Sequence, residues 1–155
     1  MIRRAEKDDL EAVNSLLNQV LNVHAGIRPD IFIPGTKKYT DNELIELFND
    51  DTKPVFVYED EDGKVLGHAF CVMQETKGII NMHDAKELYI DDICVDEKSR
   101  GKHIATALYE YVTDYARNNH CNSITLNVWE GNDAARAFYE NMGMLPRKTT
   151  MEQKL

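Results

Sequence analysis

The chain has 155 residues, 43% of them hydrophobic and 29% charged, which is typical of one globular domain spanning residues 1–155 and excludes a disordered or fibrous protein. Its formal net charge of −9 argues against nucleic-acid binding, because duplex affinity comes mostly from Lys and Arg side chains that neutralise phosphates. No apolar run reaches the roughly 18 residues that a membrane span needs, and no apolar leader follows Met1, so we expect a cytoplasmic protein without membrane contact.

The first half of the chain predicts a short strand, two helices and a hairpin. A capping-box pattern over 8–11 opens the first helix, whose apolar spacing ends near residues 24–26. A loop with two prolines and a glycine follows over 27–35, and a second capping box over 40–43 opens the next helix. The strands are expected at residues 1–5, 55–58 and 65–73.

The second half predicts a strand, a helix and a strand in succession, followed by another helix. The strand over 88–95 contains two adjacent acids, and the amphipathic helix that begins at Ile104 stops at Asn118 and Asn119. The whole order, β-α-α-β-β-β-α-β-α-β, is that of an α/β (α+β) domain in which a mixed, twisted sheet is flanked by about four helices. The last elements are expected at 124–128 (strand), 132–141 (helix, closed by Gly143) and 145–155 (strand or hairpin).

Cysteine and histidine usage predicts neither disulfides nor a metal site. Cys71, Cys94 and Cys121 are an odd number of scattered residues in apolar sequence, as expected for reduced, mostly buried thiols in the cytoplasm. The histidines show no paired ligand spacing, so we expect no bound metal.

The turn from Arg100 to Ala105 has the features of an anion site. The first N–H groups of a helix have no internal partners, and the helix dipole is positive there. Gly101 allows the backbone to approach a phosphate closely, while Arg100 and Lys102 add charge-assisted contacts. An ordinary solvated turn explains the same residues, so the turn alone leaves both interpretations open.

Two motifs in succession resemble the signatures of the GNAT N-acetyltransferase superfamily. Arg100, His103 and Ala105 occupy the fixed positions of its acetyl-CoA-binding pattern, Arg/Gln-x-x-Gly-x-Gly/Ala, with histidine where glycine is usual. The segment 132–144 is similar to the second signature, Asn-x-x-Ala-x-x-Phe-Tyr-x-x-x-Gly-Phe. The upstream elements also fit, so the resemblance covers essentially the whole chain. It implies an enzyme that transfers an acetyl group from acetyl-CoA to a primary amine by direct attack in a ternary complex.

The resemblance also implies where acetyl-CoA binds. The strand before the basic turn and the next strand are expected to splay apart, with the pantetheine arm paired between them like an extra strand. The turn would hold the pyrophosphate, and the start of the last helix would contact the pantetheine. The residues expected to bind acetyl-CoA are Ile93, Cys94, Val95, Arg100, Gly101, Lys102, His103, Ile104, Ala105 and Asn132.

Three residues are candidates for proton transfer. By resemblance, Tyr139 matches the tyrosine that protonates the CoA sulfur; the alternative is a core aromatic of the last helix. Asp91 and Asp92 are the base candidates, because acids in an apolar strand are costly to bury without partners. The segment 89–95 is similar to that of polyamine N-acetyltransferases, in which an acid at the Asp91 position acts as base. Strand alternation places the two acids on opposite faces unless a bulge intervenes, and Cys94 is expected to be structural rather than an acyl-carrying nucleophile.

The loop between the first two helices is expected to build the acceptor site, although its charged residues are equally explained by ties that hold the loop down. The paired acids and the negative charge favour a small cationic amine, with a protein N-terminus or lysine as the alternative acceptor. A catalytically weak acetyl-CoA sensor or partner-binding module is the alternative function, and the tail is a segment through which a homodimer could form. The acceptor residues are expected to be His24, Arg28, Asp30, Phe32 and Tyr89, with Tyr39.

Overall fold

Five strands form one mixed sheet, in the order β1-β2-β3-β4-β5, in the computed structural model, which describes residues 1–155. Each adjacent pair among the first four strands is antiparallel, whereas β5 runs parallel to β4. Parallel neighbours need a crossover connection, and a helix supplies it here, as predicted. The strands are β1 Ile2–Arg4, β2 Val55–Glu59, β3 Val65–Thr76, β4 Ala85–Val95 and β5 Ser123–Leu126.

Four α-helices cover the two faces of this sheet, which confirms the predicted fold class. The first two pack on one face, and the other two pack on the opposite face. Not one of them has the combination of length and apolar character that a membrane crossing requires. The helices are α1 Leu10–Ile27, α2 Asp41–Phe48, α3 Ile104–Asn118 and α4 Asp133–Asn141, with 3₁₀ turns at Lys7–Asp9 and Glu97–Ser99.

Strand alternation divides the apolar residues between two cores. In β2, Val55 and Val57 face α1 and α2, while Phe56 between them faces α3. On the α3 side, Leu108 and Val112 are fully buried against the sheet. Burying a large apolar side chain contributes roughly 1.5–3 kcal/mol, so the two cores fix both helix layers to the central strands.

A bulge divides β4 into two parts. Asp92 lies opposite Phe70 of β3 and Ile90 lies opposite Cys71, so Asp91 between them has no partner. One extra residue shifts every later side chain to the other face of the sheet. Asp92 therefore lies on the face that α1 and α2 cover, whereas Ile90 packs in the α3 core.

The strands β4 and β5 separate at this bulge. Their pairing begins with Glu87 opposite Ser123 and ends with Ile90 opposite Leu126. From Asp91 to Val95, β4 has a neighbour only on the β3 side. The structure therefore has the predicted separation of the two strands, and it leaves one edge of β4 open.

The predicted helix boundaries are confirmed except at the start of α1. Thr40 and Glu43 form the expected capping box of α2, with bonds of 3.0 and 3.2 Å. The Asp9 side chain, in contrast, does not cap α1. Its carboxylate closes the preceding 3₁₀ turn by accepting from the Glu6 N–H at 2.8 Å, and Arg3 binds it at 2.7 Å. The arginine holds this carboxylate in the turn, away from the helix.

The prediction of a strand or hairpin at 145–155 is wrong, because no strand follows Leu126. This tail is irregular and exposed, and its backbone makes no hydrogen bond to the rest of the chain. Pro146 has no N–H to donate to a ladder. Side-chain ion pairs hold the tail instead, such as Arg147 with Glu87 at 2.7 Å.

Candidate active site

The open edge of β4 leads directly to the basic turn that begins α3. Gly101 has φ 81° and His103 has φ 60°, so two residues of this turn lie in the left-handed region. A glycine adopts that conformation without strain, and histidine is one of the few other residues enriched there. His103 therefore has the left-handed backbone conformation for which glycine, the usual residue of the motif here, is best suited.

The backbone of this turn is rich in free donors. No N–H from Arg100 to Thr106 donates to a carbonyl of the chain, and the first helical bond of α3 runs from Ala107 to His103. No side chain caps α3, and no acid lies in its first turn. The positive end of a 15-residue helix therefore carries unpaired N–H groups at the surface, which suits an anionic group.

The side chains of the turn are unpaired as well. Arg100 is the one arginine of the chain that has no ion-pair or hydrogen-bond partner; the others, including the exposed Arg117 and Arg136, each bind a carboxylate. Lys102 also lacks a partner. In a chain of net charge −9, two free cations beside free N–H groups are the arrangement that binding of a phosphate would need.

Asn132 lies at the start of α4 and caps it. Its Oδ1 atom accepts from the Ala135 N–H at 3.4 Å, which leaves the amide NH₂ group without a partner in the chain. Gly143, with φ 95°, follows the C-cap of α4 in the predicted role. Both ends of α4 are thus fixed by the residues that the sequence motif contains.

Tyr139 lies on α4, packed in the same core as Ile93 and Val95 of the open edge. Its ring centroid is 5.1 Å from that of Phe138, and its hydroxyl makes no hydrogen bond within the chain. Burial raises the pKa of the phenol well above its usual range, and the nearby Asp92 carboxylate raises it further. The hydroxyl is therefore protonated at neutral pH and free to donate to a bound molecule.

The two candidate bases have different surroundings. Asp91, at the bulge, is 31% exposed and receives the ammonium of Lys38 at 3.3 Å. Asp92 is 15% exposed, and one of its oxygens lies 2.5 Å from Nε2 of His68. Of the two carboxylates, that of Asp92 contributes to the raised pKa of Tyr139.

His68 was missed by the sequence analysis. It lies in β3 and is fully buried. The signal was present, because a histidine within the apolar run from Val65 to Met73 needs a partner on a neighbouring element. The partner is Asp92, which reaches it only because of the bulge in β4, and no sequence pattern predicted the position of that bulge.

Cys94 lies on the open part of β4 but is not available as a nucleophile. Its thiol is buried and donates to the Leu16 carbonyl of α1 at 3.4 Å. Burial, with a contribution from Asp92, raises the pKa of Cys94 to about 12. The thiolate is the nucleophilic form, so this environment favours the structural role expected for Cys94.

The residues expected to bind the acceptor fall into two groups. Tyr89 and Tyr39 lie near the bulge: burial raises the pKa of Tyr89, Asp91 raises it further, and Tyr39 stacks on Phe70 with ring centroids 6.4 Å apart. Lys38, next to Tyr39, was not among the sequence candidates. Its nitrogen lies 5.3 Å from the centre of the Tyr39 ring.

The second group is built around Trp129, which the sequence analysis also missed. Phe32 meets the Trp129 ring edge-on at 5.4 Å and lies 5.1 Å from His24. Arg28 lies over the same indole and binds Asp30 through two bonds of 2.8 and 2.7 Å. The guanidinium holds the pKa of Asp30 well below its usual range.

The C-terminal tail forms ion pairs with this second group. Glu152 binds Arg28 at 3.0 Å, and Lys154 binds Asp30 at 3.2 Å. The charges of Arg28 and Asp30 are thus satisfied within the chain, which favours the interpretation that they hold the loop in place. Elsewhere, no three His, Cys, Asp or Glu side chains are grouped so that they could hold a metal ion, and the expectation of no metal stays a prediction.

Comparisons with known proteins agree with this geometry. Residues 19–144 match the family model described as the Acetyltransferase (GNAT) family. Glucosamine 6-phosphate N-acetyltransferase of Arabidopsis thaliana is 28% identical over 111 residues, which cover 72% of this chain and 70% of that protein.

Solved structures show the same fold. A mutant of the BH1408 protein from Bacillus halodurans superposes with a TM-score of 0.96 at 32% identity, covering 100% of this chain and 99% of that one. An aminoglycoside acetyltransferase from an uncultured soil metagenomic sample, crystallised with trehalose, has a TM-score of 0.75 at 18% identity, with 100% and 95% covered. At that identity the second likeness shows the fold alone.

Proposed function

Because this chain belongs to the GNAT acetyltransferase family and is an acetyl-CoA-dependent acyltransferase, we propose that it acetylates a primary amine on a small, positively charged acceptor, with Asp92 as the base and Tyr139 as the acid. The observation that carries the proposal is that Asp92 lies on the open part of β4, whose residues Ile93 and Val95 pack in the same core as Tyr139. A proton acceptor and a proton donor are the two groups that acyl transfer to an amine needs.

The free donors and cations of the chain support the binding of acetyl-CoA. The unpaired N–H groups from Arg100 to Thr106 and the Arg100 guanidinium suit the pyrophosphate. The open edge of β4 at Ile93, Cys94 and Val95 suits the amide groups of the pantetheine, and the free amide of Asn132 can add a contact. Acetyl-CoA supplies the activated acetyl group as a thioester.

The choice of Asp92 over Asp91 rests on its surroundings. Asp92 has one oxygen beside His68 and the other without a hydrogen-bond partner, so the free oxygen can accept a proton from an ammonium. Tyr139 keeps its proton at neutral pH and can donate it to the departing sulfur. A backbone N–H near Ile93 is the natural donor to the oxyanion, since this edge has no other partner.

Asp91 supports a cationic acceptor. Asp91 already binds the ammonium of Lys38 at an exposed position, where the ammonium of an acceptor could replace that of the lysine. The relative in Arabidopsis thaliana is named for an amino sugar phosphate, so an acceptor with an anionic group is the main competing class. Lys38 and Asp91 together would then bind the two charges of such a molecule.

The test is turnover of an acceptor panel, followed by release of the free CoA thiol. The panel contains a polyamine, an amino sugar, its 6-phosphate, a lysine peptide and a free protein N-terminus. We expect the polyamine to give the highest kcat/KM. A higher kcat/KM for the amino sugar phosphate would replace the proposed acceptor class, and preference for either peptide would point to a protein acceptor. No turnover despite measured acetyl-CoA binding would contradict the proposed reaction.

A further inference from the structure

His68 is the most unusual polar residue of the core. It is 0% exposed, and its Nδ1 atom is buried without any hydrogen-bond partner. Its Nε2 atom lies 2.5 Å from Oδ2 of Asp92, and its ring meets Phe70 edge-on with centroids 4.9 Å apart. A buried polar group with only half of its hydrogen bonds satisfied reduces stability, so its presence calls for a function.

The bulge at Asp91 is what brings the two side chains together. His68 pairs with Cys94 in the ladder, two positions along β4 from the pairing of Phe70 with Asp92. Without the extra residue, the alternation of β4 would place Asp92 on the α3 face, away from this ring. The same distortion therefore opens the strand edge and places a buried histidine behind the carboxylate.

The free Nδ1 atom favours the neutral form of the ring. If His68 carried a positive charge, Nδ1 would be a buried N–H donor without an acceptor. Buried orphan N–H groups are rarer than buried acceptors that lack a donor. The neutral form with its proton on Nε2 satisfies Asp92 and leaves only a bare lone pair at Nδ1.

We propose that His68 is a positioning residue for the catalytic base: a neutral imidazole that donates from Nε2 to Asp92 and holds the free carboxylate oxygen toward the acceptor amine. This inference rests on the proposed function of Asp92. Because the ring cannot place a second proton favourably, the proton removed from the substrate stays on Asp92 and leaves through the exposed side of that carboxylate.

The proton balance of the reaction is consistent with this role. One N–H bond of the acceptor ammonium breaks and its proton goes to Asp92. The nitrogen lone pair then forms the N–C bond as the C–S bond breaks. The sulfur receives a proton from Tyr139, which recovers one from the newly formed amide nitrogen. The net products are the N-acetylated amine, the CoA thiol and one proton that Asp92 releases to solvent. His68 gives up no proton at any step.

The test combines two substitutions at His68 with a double-mutant cycle. His68→Gln keeps an N–H donor near the position of Nε2, whereas His68→Leu fills the space without one. We expect His68→Leu to lower kcat about 10- to 100-fold with little change in the KM for acetyl-CoA, and His68→Gln to recover most of the loss. In an Asp92→Asn background, His68→Leu should cost no further activity, because its effect acts through the carboxylate.

A spectroscopic measurement keeps the proposal testable without turnover. Nitrogen NMR of the full-length, ligand-free protein at pH 7 should show His68 neutral, with its proton on Nε2, even if His68→Leu fails to fold. A charged ring, an Nδ1–H tautomer or additive losses in the double-mutant cycle would overturn the inference. Absence of turnover in the wild type would instead contradict the proposed function, while the NMR result would still report on the pairing.

Discussion

The ammonium of Lys38 lies 3.3 Å from the carboxylate of Asp91, at the point where β4 and β5 separate. If a cationic acceptor binds Asp91, it must displace this lysine. Exposed ion pairs contribute about 0.2–1 kcal/mol, so Lys38→Met should lower the KM for a polyamine by up to about fivefold and leave kcat unchanged. Steady-state kinetics at saturating acetyl-CoA measures this effect.

Lys37 is a matched control for that experiment. Its side chain is as exposed as that of Lys38, and its partner is Asp41, at the start of α2. Lys37→Met should therefore leave the KM unchanged. A higher KM for the polyamine in Lys38→Met would contradict the prediction. It would mean that the lysine helps to bind the acceptor, as expected if the acceptor carries an anionic group.

Arg100→Ala should weaken acetyl-CoA binding without slowing the chemical step. A hydrogen bond to a charged group is worth about 1.5–3 kcal/mol, which corresponds to a Kd roughly 10- to 100-fold higher. The group that Arg100 would bind does not react, so kcat at saturation should be nearly intact. Calorimetry gives the Kd, and the thiol-release assay gives kcat.

Arg117→Ala is the control for Arg100→Ala. Arg117 lies at the other end of α3, is 73% exposed and pairs with Asp114. Its removal should not change the Kd of acetyl-CoA. Equal effects of the two substitutions would mean that only the net charge of the protein matters, and the phosphate site would lie elsewhere.

The sequence predicted the sheet and helices well because their patterns are local. The alternation in β2 and the capping box at Thr40 depend on residues close together in the chain. The bulge at Asp91 depends on the pairing of β4 with β3, and the contact between His68 and Asp92 depends in turn on the bulge. The position of such a bulge has no signature in one sequence, so the partner of His68 could not be identified from it.

The prediction for the tail, residues 145–155, was wrong for a related reason. Its residues have strand-like composition around Leu145, but a strand also needs a neighbour with free backbone groups. The tail is held by Glu152 and Lys154, whose partners Arg28 and Asp30 were expected to face the substrate. These ion pairs hold the tail without a strand, and they favour the alternative in which Arg28 and Asp30 tie down their loop, while a role in acceptor binding stays a prediction.

His103→Gly should stabilise the fold. His103 and His120 both have φ 60°, a region that costs an ordinary residue roughly 1–2 kcal/mol and glycine nothing. Allowing for the greater flexibility of glycine in the unfolded chain, each replacement should raise the free energy of unfolding by up to about 1 kcal/mol. Urea titration measures the gain. His120→Gly, at the far end of α3, should give a similar gain, because His120 has the same φ.

The same pair separates backbone from side-chain effects on acetyl-CoA binding. If the His103 imidazole contacts the phosphates, His103→Gly should raise the Kd while His120→Gly leaves it unchanged. Unchanged affinity in both variants would show that His103 contributes only its backbone conformation. Loss of stability in both variants would refute the strain argument itself.

Alkaline pH should destabilise the protein through its buried thiols. Burial raises the pKa of Cys71 and of Cys94 to about 12, whereas unfolded thiols titrate near 8.5. The unfolded state therefore loses these protons first. The contribution of the two thiols to the free energy of unfolding is fully present below about pH 8.5. It is lost as the pH rises toward 12, by about 1.4 kcal/mol per pH unit for each thiol.

Cys71→Ala tests this dependence. The substitution should lower stability at pH 7 by leaving a small cavity, but it should also flatten the decline between pH 9 and about 11. Cys121, whose thiol is only partly buried, provides the control, since Cys121→Ala should change the slope less. Denaturant melts at several pH values give the slopes, and equal slopes in the wild type and Cys71→Ala would rule out this thiol as a source.

Tyr139→Phe should separate catalysis from binding more sharply than any other change. The phenol is free of hydrogen bonds within the chain and protonated at neutral pH, so its removal costs the fold little and the ring contacts with Phe138 remain. If Tyr139 donates its proton only as the C–S bond breaks, kcat should fall about 100-fold or more, while the Kd of acetyl-CoA barely changes. Because its pKa is raised, the wild-type rate should also show no alkaline decline from this group below pH 10. Full kcat in Tyr139→Phe would mean that the thiolate leaves unprotonated or takes its proton from water, and the acid would have to be sought elsewhere.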